Sequence, residues 1–366
     1  MRRVRRLLGA LALLLALGQP AGAGAPAVQV LAGAGPCGPG LTLLVGPASR
    51  SCVHTTSDVF DGRTQAIWSG GTPATAAPVC YGDGQTGARV QLIYGYVAGT
   101  RNNAASVVPQ VRSVMAPRMQ AVVKAASLGK DLGIRFAYEA GCRSLSVPVV
   151  AFPADTVTGA KGSAATVQFP KMITHLKALG YDRTDRKYEV IWDRWNSESV
   201  CGLGELAPQT DQPTAANLHN GLPTAGARTD VPSALGQDLP VPRYSAVWHN
   251  AFGPRGPSCW ALDQSGAGVQ VHELMHTLGA VQLSAPHSDG GGHCTDTPSV
   301  MCSVPWGARP SVTACAVQKV QVLDCGMDDF WNPSPAQGSY LATGDNVATS
   351  QFFGPQPQDR LVASPL

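Results

Sequence analysis

Two histidines and a glutamate stand close together in the stretch Gly268-Val269-Gln270-Val271-His272-Glu273-Leu274-Met275-His276-Thr277-Leu278-Gly279. On a helix, residues four apart sit on one face, one turn from each other. His272 and His276 can therefore offer two imidazoles to one metal ion. Glu273 follows the first ligand and projects beside the metal, where a carboxylate can take a proton from a metal-bound water. This is the H-E-x-x-H arrangement of zinc hydrolases, and its mechanism requires Zn²⁺. Val269, Val271, Leu274, Met275 and Leu278 give the helix apolar faces, so it is expected to be buried, and Gly279 is expected to end it.

A zinc ion that does chemistry takes three protein ligands and keeps a position for water. The extended pattern, with Gly279 three residues after His276 and a methionine further on, resembles the metzincin peptidases. In that family a third His follows the second by six residues. Here that position is Gln282, a poor zinc ligand. The downstream candidates are His293 and, as the alternative, His287. In matrixins and archaemetzincins the third His precedes the turn methionine by eight residues, and His293 precedes Met301 by eight. On this resemblance His293 is the third ligand, displaced by an insertion of eleven residues, and Met301 is the Met-turn residue forming a hydrophobic floor under the metal. His287 then falls inside the insertion, as a loop residue, the true third ligand or a substrate contact. Asp289 and Asp296 are weaker ligand candidates and read as turn or cap residues. Some metzincins carry a Tyr two residues after the methionine; here Ser303 stands there. The wider region is also similar to a group of secreted bacterial proteins with the same helix.

The elements that must hold these residues are read from periodicity. Arg89–Val97, Gly133–Tyr138, Tyr188–Trp192 and Arg243–His249 read as strands. Ser106–Ser127 reads as a helix that Pro117 should kink or split, and Phe169–Leu179 as a helix closed by Gly180. Residues 200–240 read as loop. Strands alternating with helices predict an α/β (α+β) fold. The metzincin resemblance implies a mixed twisted sheet carrying the active-site helix, with a smaller, irregular C-terminal subdomain. The strand at 243–249 is the expected pairing edge for an extended substrate. His249 ends that strand, while His54, His175 and His219 carry no pattern. Asp328-Asp329 could attract calcium but reads as loop.

The chain begins with four arginines followed by the apolar run Leu7–Leu17 and small residues, which predicts a signal peptide over 1–27. Residues 28–86 read as an irregular segment pinned by disulfides, a propeptide or a small module, and 87–366 as the metallopeptidase-like domain. Four of the 27 basic residues lie in the signal, leaving 23 against 24 acidic ones, so the mature chain is near neutral. That argues against a nucleic-acid partner. No later apolar run is long enough for a membrane span. All ten cysteines lie beyond the signal and none form C-x-x-C, so disulfides are expected, with Cys294–Cys302 and Cys315–Cys325 as local pairs. The reading is a secreted, extracellular zinc endopeptidase acting on protein or peptide, with Glu273 as general base. A non-catalytic zinc protein with four ligands, or a zinc hydrolase of another amide, are the alternatives.

Overall fold

The structure is a computed structural model. It describes residues 75–157, 164–198, 200–206, 243–250, 268–296, 322–343 and 346–356, with shorter pieces at 29–31, 41–45, 50–54, 230–232, 238–240, 253–255, 258–260, 299–302 and 359. The expected signal segment, His219, Ser303 and Cys315 lie outside these.

Five strands build the central sheet: β1 Arg89–Val97, β2 Val149–Phe152, β3 Arg186–Trp195, β4 Gly202–Gly204 and β5 Tyr244–Asn250. Their order is β2-β1-β3-β5-β4. All neighbours run parallel except β4, which is antiparallel to β5. Parallel strands need cover on both faces, and the alternation along β1, β3 and β5 supplies apolar side chains to both. Ile93, Val190, Trp192, Ala246 and Trp248 face helix α2 (Ala165–Ala178), which buries Phe169, Met172, Ile173 and Leu176 among them. Gln168 of α2 fixes this packing, its Oε1 accepting from both Trp192 Nε1 at 2.7 Å and Trp248 Nε1 at 3.0 Å. Leu92, Tyr94, Ile191 and Val247 belong to the larger cluster on the other face, with Val111, Met119, Leu274 and Met275. The fold is mixed α/β.

On that second face helix α1 runs through Ala104–Gln110, a π-helical stretch Val111–Met115, and Ala116–Ala125. Pro117 was expected to kink or split it. The α-helix is interrupted just before it by the π-helical stretch: the Ala116 N–H donates to Val111 O, the wide bond of a π turn, directly before the proline that has no N–H to give. The strand expected at 133–138 is shorter than its sequence suggests. Gly133–Ile134 pairs with Phe353–Gly354, and beyond it Phe136 makes a single bridge to Val90 and Tyr138 one to Leu145. Residues 322–356 are largely irregular, with short helical turns at Tyr340–Thr343 and Val347–Thr349. In the N-terminal segment Gln29–Leu31, Leu41–Val45 and Arg50–His54 form a small antiparallel sheet. It reaches the central sheet where the Leu206 N–H donates to Cys52 O at 2.8 Å.

One core residue carries a pH consequence. Glu189 on β3 is fully buried, and neither carboxyl oxygen has a hydrogen-bond partner among the described residues. Burial pushes its pKa well above the ordinary value. A carboxyl whose folded pKa is raised favours the fold below its unfolded pKa and loses that contribution as pH rises. Glu189→Gln should therefore melt roughly 2–4 °C above the wild type at pH 8, with the gap closing at pH 4. Equal differences in melting temperature at both pH values would sink this assignment.

Candidate metal centre

Helix α3, Gly268–Thr277, is buried at every position and packs against β4, β5 and α1. Gly279 ends it with φ +81°, a conformation that strains residues bearing a Cβ. The Ala280 N–H donates to Met275 O and the Gly279 N–H to His276 O, closing a Schellman cap. Lys187, buried on β3, donates from its Nζ to Thr277 O at the C-terminal end of the helix. The helix is thereby fixed at the end that carries His276.

Three imidazoles meet above this helix. His272 Nε2 lies 3.0 Å from His276 Nε2 and 3.2 Å from His293 Nε2. The ring centroids are 4.6–5.1 Å apart. All three residues are at most 6% exposed. Ligand nitrogens about 2.0–2.1 Å from a tetrahedral zinc ion stand about 3.3 Å from one another, so the spacing fits a zinc-sized ion. His272 Nδ1 lies 2.8 Å from Val300 O. A carbonyl can only accept, so Nδ1 carries the proton and the Nε2 lone pair is left for a metal.

Glu273, the residue after His272, is buried against β4. A Cβ on Gly202 would stand 2.4 Å from Glu273 Cγ and 2.4 Å from its Oε1; one on Gly204 would stand 2.6 Å from Glu273 O and 2.8 Å from His276 Cβ. The two glycines are therefore spacers that let the strand lie directly on the metal helix. Gly202→Ala should displace the Glu273 side chain, costing about 1–3 kcal/mol of stability. The metal-binding capacity of the three histidines should be preserved. Gly204→Ala meets backbone instead and should be the more destabilising of the two by denaturant titration; equal costs would mean the strand, not the side chain, gives way.

No protein-family model matches this chain, and no curated protein matches it either.

The segment from Gln282 to Cys302 brings His293 to the helix. Gln282 is buried, and its Nε2 donates to Gly279 O at 2.8 Å, which ties off the helix turn. The loop then doubles back: Asp289 N–H donates to His293 O, and Thr295 N–H donates to His287 O. Asp289 is a turn residue, its Oδ1 accepting from the N–H groups of Gly291 and His293. A disulfide joins Cys294 to Cys302, and the Cys294 N–H donates to Met301 O at 3.1 Å. Met301 is fully buried in the cluster that holds Leu274 and Met275. His287 lies elsewhere, 3.2 Å from Asp329 Oδ2, in a group with Asp296, Asp328 and Asp329.

The strand expected to meet substrate is corrected. β5 is paired on both sides, by β3 and β4, so its main chain is already used. The outer strand at this end of the sheet is Gly202–Gly204, inside a region expected to be loop. His249 is 44% exposed and stacks on Trp260, with Asp193 3.8 Å away. His175 bonds to Ala151 O on the far side of the sheet. Disulfides also join Cys80 to Cys142 and Cys201 to Cys259, and no cysteine is free among the described residues. No described helix is long and apolar enough to cross a membrane. Disulfides of this kind are consistent with an oxidising, extracellular setting.

Proposed function

We propose that the chain is a secreted, metzincin-like zinc endopeptidase, with Zn²⁺ held by His272, His276 and His293. The convergence of three buried imidazole nitrogens, two of them on the helix that also carries the buried Glu273, carries this reading. Zn²⁺ held by His272, His276 and His293 would supply a Lewis acid that acidifies a water. Glu273 would serve as the base that takes that proton and delivers it to the departing amine nitrogen. Its side chain occupies the space beside Gly202, which leaves little room for it to swing toward the strand. Substrate is proposed to lie extended along β4, the outer strand, whose glycines place it against the metal helix.

The alternative is a closed site with His287 as a fourth ligand, which would have no room for water. The position of His287 beside Asp329 favours the open site. A buried carboxylate one residue after the first ligand also has no use in a purely structural centre.

The test is casein hydrolysis by the oxidised, exported chain, with a chelator and with zinc restored. Hydrolysis that stops with chelator and returns with zinc is the expected result. A zinc-loaded chain that cuts neither casein nor a peptide library would reject the endopeptidase reading.

A further inference from the structure

Below the histidine centre lies a second group of metal-competent side chains that the proposed function does not use. His287 Nδ1 lies 3.2 Å from Asp329 Oδ2, 3.9 Å from Asp296 Oδ2 and 3.9 Å from Asp328 Oδ1. One donor atom from each of the four falls within 4.8 Å of all the others. The side chains of Asp296 and Asp329 are 0% exposed.

Asp296 is the informative member. Its Oδ2 accepts from no N–H group among the described residues. Its Oδ1 is 2.8 Å from Cys302 Sγ, but that sulfur is bonded to Cys294 and has no proton to give. This fully buried carboxyl group thus points its Oδ2 into the group, with the Asp329 carboxyl as its hydrogen-bonding neighbour. Burying an uncompensated carboxylate costs several kcal/mol or more. Asp328 Oδ1, on the same side, also lacks a partner. Carboxyl groups packed this closely must hold protons or be offset by a cation. Asp329 is meanwhile held in place from behind: the N–H groups of Asp329, Phe330 and Trp331 all donate to Asp324 Oδ2, at 3.2, 2.9 and 2.8 Å. The loop is shaped before any ion arrives.

We propose that His287, Asp296, Asp328 and Asp329 bind a second divalent cation, distinct from the one at His272, His276 and His293. The donor set indicates its class. Calcium and magnesium take oxygen ligands, whereas one imidazole with carboxylates suits zinc and its neighbours in the transition series. Asp328 is 44% exposed, so this side is open to solvent and to exchange with added metal. The ion would tie the loop carrying His293, three residues before Asp296, to the C-terminal segment carrying Asp328 and Asp329. The inference does not depend on the endopeptidase reading, because it concerns other residues and is read by metal content.

The experiment uses the oxidised, exported chain, stripped with chelator, dialysed against zinc and assayed by plasma mass spectrometry. Two zinc ions per chain are expected. Asp296→Asn/Asp329→Asn should bind one, and so should His272→Ala/His276→Ala. One zinc per wild-type chain, or two persisting in Asp296→Asn/Asp329→Asn, would overturn the proposal. If the asparagine variant does not accumulate, the histidine variant alone decides. Added zinc should raise its melting temperature if the second site exists, and an unchanged melting temperature rejects it. Loss of casein hydrolysis with two zinc ions still bound would count against the proposed function and leave this site standing.

Discussion

Glu273→Gln should keep the zinc content of the wild type and hydrolyse casein about 10²–10⁴-fold more slowly. Glutamine has nearly the shape of glutamate, so it fits the space left by Gly202 and Gly204 without moving strand or helix. It is not one of the three imidazole ligands, so the metal should stay. What it removes is the capacity to accept a proton. The result is read as two numbers from one preparation, zinc per chain and turnover. Full zinc with collapsed turnover assigns the base. Parallel loss of both would make Glu273 a structural support, and retained turnover would dismiss it from the chemistry.

His293→Ala is expected to weaken zinc binding at the three-histidine centre by more than about 100-fold, beyond the usual cost of losing an outer-shell partner. Hydrolysis should fall with it. His287→Ala should keep one tightly bound zinc ion and measurable hydrolysis, since its ring faces Asp329 and not His272. Zinc titration of the two variants against a competing chelator checks this. If His287→Ala empties the centre and His293→Ala does not, the third ligand has been assigned to the wrong residue.

Legibility from the sequence followed the range of the interactions. His272, Glu273 and His276 were readable because helical spacing is local: four residues make one turn whatever the rest of the chain does. The α/β class was readable for a similar reason, since β1, β3 and β5 carry dense apolar runs. The third imidazole was harder. Spacing left His293 and His287 in competition, because a loop of unknown shape separates both from the helix. The outer strand was not visible. Gly202-Leu203-Gly204 has almost no strand propensity, and its glycines are needed by side chains about seventy positions later. Reading 200–240 as loop then made the 243–249 strand look like an edge. The Asp328-Asp329 pair was read as loop because its partner His287 is 42 residues away.

The Cys294–Cys302 bridge has a consequence for when the centre can exist. It joins the residue after His293 to the residue after Met301, at a sequence separation of 8. Closing a loop of that length contributes roughly 2.5 kcal/mol by removing freedom from the unfolded chain. In a reducing cytosol the bridge stays open. The arm that delivers the third imidazole is then held by weaker contacts, and metal affinity should be lower, which zinc titration of the chain with and without reductant measures. A chain made inside the cell would be incomplete there and finished only after crossing into an oxidising space.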